Sequence, residues 1–238
     1  MHHEYLLGLL TDILEPLYQS LFIGMTAHSD SEIYRAFDIS YEYDCYGAFR
    51  DYIYGGGTLK AYVEAVNRQE YIYPDNYVKL RFLENHDVPR GRFLIPDIEN
   101  LKSWLAFTFF KKGMTLIYNG QEYALSHLPS LFDRDTIDRN SAEAVDLSSF
   151  IANLARIKRD PIFADSSFSV ETPDENTLTA VHEKGERRAF GVFPLSGKAC
   201  FVRLNAPDGV YENLVDGSSV EVFRGGISCC GKPVIIEY

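Results

Sequence analysis

Over the first two thirds of the chain, short apolar runs that stop in polar clusters alternate with stretches of helical period. Tyr5 to Leu10 is one such run, and Asp12 to Leu21 is compatible with a short helix. Ala36 to Tyr41 predicts a short strand ending in the acid-rich Glu42–Asp44. Leu59 to Val66 is helical by composition, and Val78 to Leu83 reads as a strand. Ile98 to Lys112 predicts a helix, because Leu101, Trp104, Leu105, Thr108 and Phe109 recur at helical spacing. Asp97 can cap its start and Gly113 stops it. Met114 to Tyr118 predicts a strand closed by Asn119-Gly120. A last helix over roughly Ala142 to Lys158 aligns Leu147, Phe150, Ile151, Leu154 and Ile157, with basic residues in its final turn, where the helix dipole favours them. Strand–helix alternation implies βα units and a parallel sheet, whose chemistry sits where strands end and loops begin.

After Pro161 the pattern changes. Thr177–Val181, Arg188–Phe193, Ala199–Leu204, Gly209–Val215, Ser219–Phe223 and Pro233–Tyr238 are short β-type runs, separated by Gly185, Ser196-Gly197, Pro207-Asp208-Gly209, Asp216-Gly217 and Gly225-Gly226. That spacing predicts a small antiparallel sheet or sandwich. The boundary falls near Asp160-Pro161, giving segments 1–160 and 161–238 with no long linker.

Composition narrows the classes. The 238 residues are 46% hydrophobic, enough for a sizeable core, and the net charge of -11 repels a phosphate backbone, which sets nucleic acid aside. Aromatic residues make up 14%, so flat faces for stacking sugar rings are abundant, although core packing explains them equally well. Cys45, Cys200, Cys229 and Cys230 form no CxxC pair and no zinc spacing, and are read as reduced thiols. No apolar run is long enough to span a membrane, and the first residues lack the basic start of a signal peptide. These features predict a cytoplasmic setting.

Two polar clusters carry the candidate chemistry. Phe82-Leu83 leads into Glu84-Asn85-His86-Asp87, followed by Val88-Pro89-Arg90. Asp87 can project a carboxylate from a strand end, His86 can donate to a polyhydroxylated ligand, and Asn85 can hold the turn or orient a neighbour. Alone, Asn85-His86-Asp87 favours an ordinary strand-to-loop turn. One helix later, Gly113 to Tyr123 ends in Asn119, Gly120, Gln121 and Glu122. Alone, this is a tight turn with a solvated Glu122.

In this order and spacing the two stretches resemble the alpha-amylase family of glycoside hydrolases, in which they correspond to the seventh and eighth barrel strands. Ser29 to Glu32, Tyr34 and Ala36 to Asp44 resemble the approach to the sixth strand, and the region after Pro161 resembles the family's C-terminal β-domain. The resemblance implies an α/β chain: a partial (half) TIM-type (β/α)8 barrel, approximately strands five to eight, followed by a small antiparallel β-sandwich domain. It also implies a retaining mechanism on α-glucosidic bonds of starch-like glucans or oligosaccharides. Asp87 would then stabilise the transition state. His86, Asn85 and Glu122 are the substrate-binding candidates.

The family's nucleophile, an Asp following an Arg-x motif on the fourth strand, has no match in the chain. Its general acid is a Glu ending the fifth strand; if Tyr5–Leu10 is that strand, Asp12 takes the acid's position one methylene short, with Glu15 as a further candidate. A full barrel needs about 250 residues, so the chain is expected to be truncated, inactive alone, and dependent on self-association or on a second chain supplying the first half. The alternative is a non-catalytic glycan-binding or subunit protein on the same scaffold. No cofactor and no metal site is expected. Asp133, Asp135 and Asp138 do not match a calcium loop and are read as a solvated loop.

Overall fold

A computed structural model of the chain describes residues 23–24, 33–34 and 37–238. The predicted strand Tyr5–Leu10 and helix Asp12–Leu21, the candidates Asp12 and Glu15, and the approach Ser29 to Glu32 lie outside the described residues. The chain divides into two compact units, one of residues 1–81 with 112–114 and the other of 82–111 with 115–238.

The first unit is α/β. Strands β1 (Ile23–Gly24), β2 (Ile39–Tyr41), β3 (Lys79–Arg81) and β4 (Met114–Thr115) follow that order across one sheet. β1 pairs with β2, and β2 with β3, in parallel. Between β2 and β3 run α1 (Tyr43–Ile53) and α2 (Leu59–Ile72). Thr58 caps α2 by accepting from the Ala61 amide at 3.1 Å, and Leu59, Tyr62, Val63 and Val66 form its buried stripe. The helix ends at Tyr73, which is extended because Pro74 follows.

β3 lies within the stretch Val78 to Leu83 that reads as a strand, and its Lys79 and Arg81 are both fully buried. Two residues apart, they share one face of the strand. Arg81 meets Glu42 at 2.9 Å, donates to the side chain of Gln69, and donates through Nε to the Lys112 carbonyl at 2.6 Å. Lys79 lies 3.4 Å from Asp44 and donates to Tyr73 Oη at 3.0 Å. Burial pulls the Lys79 ammonium below its ordinary range, and Asp44 opposes that effect. The strand after Gly113 keeps only Met114–Thr115 of its expected length. Gly113, with φ 113°, abuts β3 so closely that a Cβ would lie 2.4 Å from the Lys79 carbonyl oxygen.

The second unit contains α3 (Gly91–Leu94), α4 (Ile98–Phe110), α5 (Ser148–Lys158) and eight antiparallel strands. Asp97 caps α4, accepting from Asn100 N at 2.9 Å. α5 begins later than expected, because 142–147 form a turn and an extended segment in which the Val145 and Leu147 amides donate to the Tyr123 and Glu122 carbonyls. Within α5, Ile151, Leu154 and Ile157 are buried as the stripe predicts.

Strands β5 (Ser167–Asp174), β6 (Thr177–Lys184), β7 (Arg187–Pro194) and β12 (Val234–Glu237) form one sheet in the order β12-β7-β6-β5. Strands β8 (Ala199–Arg203), β9 (Gly209–Glu212), β10 (Ser219–Phe223) and β11 (Gly226–Cys230) form a second in the order β8-β11-β10-β9. Val192, Val202, Val222, Ile227, Val234 and Ile236 pack between them, so the region is a sandwich. The sequence pattern missed β5 and β11. β5 is an edge strand with polar residues on alternate positions, and β11 carries glycine and cysteine in place of the usual β-formers. His182 on β6 is buried among Phe110, Phe163 and Phe168 and shares a 2.7 Å hydrogen bond with the Phe110 carbonyl, tying the end of α4 to the sandwich. Among the described residues, no helix is long and apolar enough to cross a membrane.

Candidate functional site

The segment leaving β3 buries its first residues and exposes its tip. Glu84 and Asn85 are 2% and 1% exposed, whereas the His86 and Asp87 side chains are 42% and 39% exposed. This burial gradient follows from the local hydrogen bonds. Asn85 Oδ1 accepts from the Asp87 amide at 2.8 Å, an Asx turn that rotates the chain outward. His86 Nε2 then lies 3.4 Å from Asp87 Oδ2, so an imidazole and a carboxylate stand together at a solvent-facing tip. Asn85 thus holds the turn; its side chain is buried, which separates it from the two exposed candidates.

The base of the segment is closed by two residues that the sequence reading quoted without assigning a role. Arg90, fully buried, donates through Nη1 to Glu84 Oε1 at 2.7 Å, and the second Glu84 oxygen accepts from the Gly91 amide at 2.6 Å. Burial pushes the Glu84 carboxyl above its ordinary range, against the hydrogen bonds from Arg90 and Gly91. Arg90 also donates through Nε to the His127 carbonyl at 2.9 Å and stacks over the Tyr118 ring at 4.4 Å. One guanidinium therefore joins the segment carrying His86 and Asp87 to the segment carrying Tyr118 to His127. The signal that points to this pair is an acid inside a buried apolar run and an arginine just past Pro89.

In the second segment, Gly120 has φ 92°, and a Cβ there would lie 3.0 Å from Ile137 Cγ2 and 3.3 Å from Arg90 Nη2. Glu122 accepts from the Gly120 amide at 2.9 Å and lies 3.6 Å from Arg139 Nη2. Arg139 donates to Asn119 Oδ1 at 2.8 Å. Glu122 is thus engaged by the turn and by Arg139, while His86 and Asp87 are engaged with each other. Asn119 and residues 135–140 line a pocket of about 470 Å³. Asp135 accepts from Ser130 N and pairs with His127, and these hydrogen bonds hold its carboxyl below the ordinary range. Asp133, Asp135 and Asp138 are exposed, and His127 and Ser130 occupy Asp135.

Chemically, the tip offers a half-exposed carboxylate and imidazole on a rigid root. Such a pair can accept and donate hydrogen bonds to a polyol, and the carboxylate can stabilise a developing positive charge.

Residues 169–236 match the family model described as the bacterial alpha-amylase C-terminal domain. The chain is 24% identical over 181 residues to alpha-amylase 2 of Dictyoglomus thermophilum, covering 66% of this chain and 32% of the relative. Among solved structures, an alpha-amylase from Lactobacillus plantarum superposes with a TM-score of 0.90 at 32% identity, covering 99% of this chain and 60% of that one. The maltogenic alpha-amylase AmyB from Thermotoga neapolitana superposes with a TM-score of 0.86 at 28% identity, covering 99% and 58%. The chain therefore spans about a third of that curated relative and under two thirds of these solved chains. The fold is that of their C-terminal portion: part of a TIM-type barrel followed by the antiparallel domain.

Proposed function

Because this chain belongs to the alpha-amylase family, as its C-terminal part, we propose that it carries the transition-state and substrate-binding corner of a retaining glycoside hydrolase acting on α-glucosidic bonds. The observation that carries this reading is the His86–Asp87 pair at 3.4 Å, presented by the Asn85 turn on the buried Glu84–Arg90 root. Asp87 is assigned to stabilise the oxocarbenium-like transition state, and His86 to bond sugar hydroxyls beside the scissile bond. Asn85 acts by fixing the turn. Glu122 contributes through Arg139 and Asn119, which its carboxylate helps to position.

The reading assigns the nucleophile to residues outside these 238, and keeps Asp12 as the candidate general acid. These 238 residues by themselves are therefore expected to turn over no substrate, and the groups that complete the site are expected from the first barrel strands. In this reading the β-domain begins near Asp160, whose carboxylate accepts from Ile162 N at 2.9 Å, and the four cysteines, with neither a CxxC pair nor zinc spacing, support a reducing, cytoplasmic setting.

The test is complementation. The purified chain is refolded with and without the first barrel half of the Lactobacillus plantarum enzyme, then assayed on maltooligosaccharides and an aryl α-glucoside. Turnover only in the mixture, lost on Asp87→Asn, is the expected result. Turnover by the chain alone would overturn the inactivity. Calorimetric binding of maltoheptaose without turnover in any mixture would favour a glycan-binding subunit instead.

A further inference from the structure

The sheet β8-β11-β10-β9 holds a pair of groups that glycosyl chemistry does not use. Cys200 on β8 and Cys229 on β11 are direct register partners. Direct partners on antiparallel strands point to the same face with Cα atoms about 4.5–5.5 Å apart, inside the roughly 4.4–6.8 Å span of a disulfide. Cys229 is buried in the cluster with Val202, Val222 and Ile227, and Cys200 packs against that cluster, partly buried. The neighbouring Cys230 is exposed, on the opposite face, with Ala199 as its register partner. The Cys229-Cys230 doublet is therefore one buried thiol facing Cys200 and one thiol facing solvent.

We propose that Cys200 and Cys229 form a redox modification site, a dithiol that a low-molecular-weight disulfide converts into a cross-strand disulfide joining β8 to β11. The thiolate of Cys200 attacks one sulfur of the external disulfide; a mixed disulfide forms and half of the reagent leaves as thiolate. Cys229 then gives up its proton to water and attacks Cys200 Sγ, expelling the other half. Two protein thiols are oxidised and one external disulfide is reduced to two thiols. The order follows from the site. A hydrogen bond from Cys229 draws the Cys200 thiol down to about 7, while donating that bond, together with burial, holds Cys229 up. β8 is the edge strand of its sheet, so the link pins an edge that pairs within the sheet with β11 alone. In a reducing compartment the pair rests as thiols and responds when oxidant arrives.

The test treats the folded chain and its Cys230→Ser variant with oxidised glutathione, alkylates, and maps peptides without reduction. The expected product is a Cys200–Cys229 link in both, reversed by dithiothreitol. It raises the melting temperature by about 5–10 °C, a rise absent in Cys200→Ser. Residues 200 and 229 still alkylatable, a stalled mixed disulfide, a link through Cys230, or a link formed only after unfolding in urea would each overturn the proposal.

Discussion

Glu84 and Arg90 form a fully buried ion pair, Oε1 to Nη1 at 2.7 Å, that closes the base of the loop bearing His86 and Asp87. Removing one member strands the other. Arg90→Met leaves the Glu84 carboxylate buried with the Gly91 amide, and the expected loss is about 3–5 kcal/mol at neutral pH. The sign with pH follows from Glu84, whose folded carboxyl already titrates above its ordinary 4.5 because of burial. Without Arg90 it titrates higher still. A raised folded value means that the native state binds the proton more readily, so stability is present at low pH and lost as pH rises through the folded value. The variant's deficit should therefore shrink as pH falls toward 5. Urea titrations at pH 7.5 and 5.0 measure it, and a deficit that is constant or grows on acidification would be incompatible with a stranded Glu84.

Gly113→Ala should destabilise the first unit by more than an ordinary glycine replacement. The residue occupies φ 113°, and the new methyl carbon would lie 2.4 Å from the Lys79 carbonyl oxygen. Relief requires β3 and β4 to separate, because the obstacle is backbone and not a flexible side chain. The expected loss is above about 2 kcal/mol. Gly185→Ala is the control, with φ 62° and nothing within 4 Å of the added carbon, and should lose only about 1 kcal/mol. Equal losses at the two sites would remove the steric argument.

The exposed tip and its root should separate in mutagenesis. Asp87→Asn leaves the backbone amide that Asn85 accepts, and the side chain is 39% exposed, so stability should change by less than about 0.5 kcal/mol. Asn85→Ala removes a buried acceptor and the turn bond, and should lose about 1–3 kcal/mol. In the complemented enzyme both should lower turnover, Asp87→Asn at unchanged melting temperature and Asn85→Ala with a lowered one. Thermal melts of the two variants beside their kcat values check this, and a large stability loss from Asp87→Asn would recast Asp87 as structural.

The legible parts of the sequence were those with a repeating local signal. The α4 stripe from Leu101 to Phe109 and its Asp97 cap read directly, because a helix face repeats every three to four residues and a cap uses one side chain. The exposed His86 and Asp87 were legible as a polar end to an apolar run. What sequence could not give was pairing across distance. Arg90 reaching the His127 carbonyl, and Cys200 facing Cys229, depend on loop closure and strand register, neither of which leaves a local pattern. α1 was missed because its Tyr-rich sequence, Tyr43 to Ile53, buries only Cys45 and Phe49 and so lacks a helical stripe. Lys79 and Arg81 share one buried face of the strand, which their charges alone do not announce.

That buried face yields the last prediction. Arg81 is held by Glu42 and Gln69 side chains and by the Lys112 carbonyl, all within the first unit. Burial is the largest influence and opposes its charge, but Glu42, Tyr77, Cys45 and Asp44 together outweigh burial and hold the guanidinium above its ordinary value. Arg81→Met fills similar volume yet leaves Glu42 buried without its cation, and should lose about 3–5 kcal/mol. Glu42→Leu alone should lose a comparable amount by stranding Arg81. The double variant removes both charges, so its loss should fall well below the sum, with a coupling of about 2 kcal/mol or more. A double-mutant cycle in urea measures this directly. Additive losses would mean that Arg81 and Glu42 stabilise the strand through separate neighbours, and would dissolve the ion pair as a unit of the fold.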